Sequence, residues 1–304
     1  MATEVHISRL ILRWPMPYTD VMQPGSPSRT ALGVARRRAI HQLLDPPPVL
    51  ADPIAIPILG REFDPRAVRA DPIQHHPAAR AFRAFMAVRS RYAEDNLAVA
   101  VNAGVRQYVV LGAGLDTFAC RNPFPDLQVF EVDFPATQIW KRDLLRLAGI
   151  PEPASLTFVP LDFEHRTLRE GLTEAGFDLR SPAFFCWLGV VPYLTLPAFR
   201  STIDFIAAMP AGSGVSFDYA LSAEELSPAR QRVHQALAER VAAAGEPFRL
   251  FFRTEQLDNE LHTAGFQQTE QFDTVDLNQR YFTGRTDGLA LPDEGLGKLA
   301  SAWV

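Results

Sequence analysis

Between Gln107 and Asp133 two short runs, QYVVL and QVFEVD, stand either side of the turn Gly112-Ala113-Gly114, and this arrangement restricts the fold more than any other part of the chain. Apolar residues without polar alternation in the first run read as a strand buried on both faces. Two glycines straight after it give a turn whose bare backbone a ligand can approach closely. The second run ends in Glu131 and Asp133, and a carboxylate at the tip of a neighbouring strand can accept hydrogen bonds from ribose hydroxyls. Side chains alternate along a strand, so both acids share one face; Asp133, nearer the carboxyl end, is the preferred ribose ligand and Glu131 the competing choice.

The spacing also bears on which nucleoside. A dinucleotide fingerprint calls for a third glycine three residues after the second, where this chain has Thr117. A pyrophosphate therefore fits less well than an uncharged nucleoside with an amino-acid tail, the chemistry of S-adenosylmethionine (SAM). An NAD(P)-dependent oxidoreductase stays open as an alternative, as does a purely structural turn.

Charge and composition narrow the class. The 304 residues carry 30 Lys+Arg against 35 Asp+Glu, and no basic block exceeds Arg36-Arg37-Arg38, so no nucleic-acid partner is expected. Cys120 and Cys186 are the only cysteines and form no CxxC, which argues against a disulfide framework or a cysteine zinc site and fits a reducing cytoplasm. Apolar runs fall short of membrane-spanning length and no signal-peptide layout opens the sequence, so a soluble, cytoplasmic protein without a membrane partner is expected. The seven histidines lack metal-ligand spacing; they read as surface or loop residues, and no metal is expected.

Periodicity sets the organisation. An arm over residues 1–27, rich in proline, precedes a helical cap over 28–105, with helices at 28–44, after Asp52-Pro53 and at 77–102. From 106 to 304 strands and helices alternate, with strands at 107–111, 128–133, 156–161, 183–188 and 214–219 and helices near Thr117 and at 135–148, 168–175 and 197–208. Such alternation means a mainly parallel sheet covered on both faces. A helix at about 223–245 lies outside the alternation and reads as a lid. A helix at 256–264, capped by Gly265, and closing strands at 266–273 and 280–283 complete the reading.

LGAGLDT and FEVDFP together resemble the leucine carboxyl methyltransferase-like family of SAM-dependent O-methyltransferases, which includes many bacterial enzymes of natural-product pathways. PSRTALGVARRRAIHQ, ADPIA, VRSRYAEDNL, FVPLDFE, GVVPYLT and RYFTGRTDGL are similar to it too, so the likeness spans most of the chain from Ser28. The resemblance implies an α/β, Rossmann-like class I SAM-methyltransferase fold: a doubly wound, mostly parallel seven-stranded sheet, its last strand inserted antiparallel, with an N-terminal helical cap and a helical lid insertion. It implies that Gly112, Ala113 and Gly114 lie against the methionine portion of SAM and that Asp133 binds the ribose. Asp162 and Phe163 would bracket the adenine, and Arg91, with Arg89 as the alternate, would face the SAM carboxylate. Tyr193 is a candidate for the acceptor pocket.

The implied activity is methyl transfer from SAM to a carboxyl or hydroxyl group of a small-molecule acceptor in secondary metabolism, with S-adenosylhomocysteine as product. Protein or peptide carboxyl methylation and non-catalytic SAM binding are the alternatives, and the oligomeric state stays open. A carboxylate acceptor needs no base, whereas a hydroxyl acceptor would benefit from one. Two positions depart from the family pattern: Leu188 replaces an acid five residues before Tyr193, and Phe118 replaces the arginine that follows Asp-Thr.

Overall fold

The computed structural model describes residues 29–162, 166–243, 245 and 247–304. The arm at 1–27 and Phe163 lie outside the described residues. The cap consists of α1 (Arg29–Leu44), α2 (Pro65–Ala70) and α3 (Pro77–Asn102). α1 and α3 stand where the periodicity puts them, and Gly104, at φ 106°, follows the end of α3. The short α2 escaped the sequence reading; Asp64 caps it by accepting the Arg66 N–H at 2.8 Å, and Pro65 occupies a first-turn position that needs no donor. After Asp52 no α-helix forms, because Pro57 removes a donor; the chain instead makes a 3-10 turn at Pro57–Glu62.

Strands β1 (Gln107–Leu111), β2 (Gln128–Asp133), β3 (Leu156–Pro160), β4 (Ala183–Trp187) and β5 (Gly214–Ala220) lie within one residue of expectation. They pair in parallel, with α4 (Pro135–Leu147), α5 (Leu168–Glu174) and α6 (Leu196–Ala207) as crossovers. The helix expected near Thr117 is a single 3-10 turn at Phe118–Arg121. Beyond β5 come α7 (Pro228–Ala243), α8 (Thr254–Ala264), β6 (Gln268–Phe272), α9 (Thr274–Tyr281) and β7 (Gly297–Trp303). The sheet order is β3-β2-β1-β4-β5-β7-β6, with β7 antiparallel to both neighbours. This is the doubly wound, seven-stranded α/β architecture.

Both faces of the sheet are buried, which explains the unbroken apolar strands. Val109, Leu111, Phe130, Phe185 and Phe217 pack on one face with Leu172 of α5, Phe199 and Ile203 of α6 and Leu257 of α8. Tyr108, Val110, Val129 and Phe184 face the other way, onto Ala93, Leu97 and Ala100 of α3. Each such Leu or Phe contributes about 1.5–3 kcal/mol on burial, so α3 is held to the sheet far more firmly than its own propensity would hold it. Cys186 lies in this second layer, and burial pushes its thiol up to about 12.

The closing strand is elsewhere than the sequence suggested. Arg280 to Thr283 do not form a strand: Asp273 caps α9 by accepting the Val275 and Asp276 N–H groups, and the helix runs through Arg280 and Tyr281. The last strand is GKLASAW, whose small residues carry little β-propensity. Its place is set by packing: a Cβ on Gly297 would run into the Tyr219 carbonyl oxygen, and Ala300 and Ala302 are fully buried against β5.

Candidate active site

The sheet order turns back between β1 and β4, and at the carboxyl ends of these strands a crevice opens, the place where doubly wound sheets bind ligands. Here it widens to a cavity of about 1570 Å³. Gly112 and Gly114 take left-handed conformations, φ 66° and 49°, that other residues resist. Space forces the same choice, since a Cβ on Gly112 would strike Val190 and one on Gly114 would sit 2.9 Å from the Ala31 Cβ of α1. The Gly112 and Ala113 N–H groups donate to the Val132 carbonyl at 2.8 and 3.1 Å, which ties the turn to β2.

Asp133 closes β2 and borders the cavity. Its carboxylate accepts the Gly114 and Phe134 N–H groups at 2.6 Å each, so the acid is held beside the turn with further lone pairs to offer a ligand. Burial raises its pKa, and the two backbone donors oppose that shift. Glu131 is placed differently. It is 1 % exposed, forms an ion pair with Lys141 of α4, and is absent from the cavity wall. Burial raises its pKa while Lys141 lowers it. Reach does separate the two acids: the crevice meets Asp133, and Glu131 serves the β2–α4 contact.

The other sequence candidates divide. Arg91 is turned outward, its side chain 47 % exposed and paired with Asp95 at 2.7 Å, and it does not border the cavity. A correction follows from helix geometry: two residues earlier on α3 is more than half a turn round, and Arg89 points inward and lines the cavity. Asp162 follows β3, half-buried, and is not part of the described cavity wall; its expected companion Phe163 lies outside the described residues. Tyr193 does border the cavity, from a 3-10 turn after β4, with its ring 5.2 Å from that of Phe248.

Several cavity residues escaped the sequence reading. Asp218, near the end of β5, is 6 % exposed and accepts from Arg89 Nη1 at 2.9 Å and from the Gly189 N–H at 2.5 Å. An acid inside the apolar run GVSFDYA, like Asp133 inside QVFEVD, was the signal for it. Behind the turn, Arg38 of α1 bonds Asp116 at 3.1 Å, Asp52 at 2.5 Å and Thr117 at 2.6 Å, so the cap grips the glycine segment through buried charge. Arg37 lies 4.4 Å over the Phe82 ring, and burial together with nearby Arg240, Arg36 and Arg89 lowers its pKa to about 10.

Helix α7 closes the far side with Val233, His234, Leu237 and Arg240. His234, read as a surface or loop residue, instead borders the cavity with its ring 5.0 Å from Phe251. Burial lowers its pKa, and its Nε2 is buried without a hydrogen-bond partner among the described residues. Among the described residues no cluster of His, Cys, Asp and Glu could hold a metal, and no helix is long and apolar enough to cross a membrane.

Glycine turn, strand-tip carboxylate and sheet order together define a SAM-dependent methyltransferase of the Rossmann-like class. Residues 31–207 match the family model described as leucine carboxyl methyltransferase, and the chain belongs to that family. It is 36% identical over 205 residues to the "Putative S-adenosyl-L-methionine-dependent methyltransferase YktD" of Bacillus subtilis (strain 168), covering 66% of this chain and 67% of that one. A "Putative S-adenosyl-L-methionine-dependent methyltransferase" of Mycobacterium avium (strain 104) is 31% identical over 248 residues, with 75% and 76% covered. The crystal structure of a "putative methyltransferase" from Thermobifida fusca YX shares the fold, with a TM-score of 0.52 at 18% identity over 96% of this chain and 98% of that one. The cofactor of this class is SAM, and the residues present fit it: two glycines clear the backbone, a carboxylate at the tip of β2 stands beside the turn, and a buried arginine lines the same crevice.

Proposed function

We propose that this methyltransferase acts on oxygen, transferring the methyl group of SAM to a carboxyl or hydroxyl group of a small molecule in secondary metabolism. The observation that carries the reading is the size and lining of the cavity. At about 1570 Å³ it exceeds the roughly 300–1,000 Å³ of an ordinary ligand pocket, which leaves room for an acceptor beside the cofactor. Phe82, Phe85, Met86, Leu237 and Phe248 offer an apolar bed, and Arg37 and Arg240 add positive charge. That combination suits a compact apolar acid or phenol.

Bound SAM supplies an electrophilic methyl group. The protein's part is then alignment and exclusion of water. We assign Gly112, Ala113 and Gly114 to the methionine portion, Asp133 to the ribose hydroxyls and Arg89 to the tail carboxylate. A carboxylate acceptor arrives ionised and is drawn toward Arg37 and Arg240. For a hydroxyl acceptor, His234 on α7 is a neutral imidazole able to take a proton.

Incubation with methyl-labelled SAM and a panel of small acids and phenols tests the reading. Label in a methyl ester is released by mild base, and label in a methyl ether is not; either product agrees with oxygen methylation. Label found on nitrogen or carbon overturns it.

A further inference from the structure

The buried pair Arg89–Asp218 has a chemical shape of its own. Arg89 reaches in from α3 and Asp218 from β5, and both border the cavity at 7 % and 6 % exposure. Gly189, at φ 71°, lies under the guanidinium: a Cβ there would come within 3.0 Å of Arg89 Nη1 and 3.1 Å of Nη2. The Gly189 N–H fixes one Asp218 oxygen at 2.5 Å, and Arg89 Nη1 fixes the other at 2.9 Å. The next residue, Val190, is the one that a Cβ on Gly112 would strike, so the pair stands directly beside the glycine turn. The neighbouring wall residue, Leu188, offers no charge.

A buried ion pair is poor evidence for stability, because removing two charges from water offsets most of their attraction. A fixed positive and a fixed negative group side by side on a cavity wall are, however, complementary to a zwitterion. Arginine has five N–H groups and a carboxylate about four acceptor sites, so each partner keeps capacity after binding the other. An α-amino acid presents a carboxylate and an ammonium a few ångströms apart.

Resting on the reading that this cavity takes SAM, we propose that Asp218 receives the α-ammonium group of the cofactor's amino-acid tail while holding Arg89 against its α-carboxylate. The acid that recognises the amine thus comes from β5, with the end of β4 contributing only the Gly189 N–H that orients it.

The test compares two ligands in titration calorimetry: S-adenosylhomocysteine, which carries the tail, and 5′-methylthioadenosine, which lacks it. Asp218→Asn should weaken the first about tenfold or more and leave the second within about twofold. A second measurement needs no variant: S-adenosylhomocysteine stripped of its α-amino group should bind wild-type protein about tenfold more weakly than the parent. Equal affinity of the parent and stripped compounds overturns the inference, as does an Asp218→Asn protein that keeps its affinity for the parent or loses both ligands alike. Wild-type protein that binds neither S-adenosylhomocysteine nor 5′-methylthioadenosine overturns the cofactor reading, and this inference with it.

Discussion

Asp133 shows how much one carboxylate can organise. It fixes the Gly114 N–H and the first N–H beyond β2, and we place the ribose on its remaining lone pairs. Asp133→Ala should therefore weaken SAM binding by about 1–3 kcal/mol in calorimetry. Glu131→Gln should lower the unfolding temperature by stranding Lys141, yet leave affinity unchanged; the opposite outcome would hand the ribose to Glu131. His234 gives a pH signature. Burial lowers its pKa below 6.5, so the unfolded chain takes up the proton first as pH falls. Its contribution to stability is complete above about pH 6.5 and is lost toward its lower folded value. His234→Gln should flatten the dependence of unfolding temperature on pH between 7 and 5, and an unchanged slope would refute that assignment.

At the scale of elements, local signals and tertiary ones separated cleanly. β1, β2 and α3 were legible because apolar periodicity and a flanking glycine or proline fix them locally. β7 was not, since GKLASAW becomes a strand only through the close approach of Gly297 to β5. Arg280–Thr283 misled because Tyr and Phe suit strands, whereas the cap at Asp273 decides for helix. On α3, VRSRYAEDN names two arginines, and only the rotation of the helix against the sheet selects the inward one. The same physics predicts that α1 and the glycine turn act as one unit. Arg38→Met would leave Asp52 and Asp116 without their guanidinium, at a cost of about 3–5 kcal/mol in urea unfolding. A variant as stable as the parent would show that Arg121, 3.5 Å from Asp52, carries that link instead.

For the whole molecule, a cofactor bound between the cap and the sheet must stabilise both together. At a hundredfold excess over its Kd, S-adenosylhomocysteine should add about 2.7 kcal/mol to stability, read as a rise in the unfolding temperature. NAD should give no rise, and a larger effect from NAD would return the fold to the dinucleotide binders. The insertion of β7 between β5 and β6 sets a timetable as well. During synthesis β5 is made with its outer edge open and keeps it open until Gly297 to Trp303 leave the ribosome. Non-local pairing of this kind slows folding and exposes a bare strand edge to other chains. Among the described strands, the one that bears Asp218 thus waits longest for the partner on its outer edge.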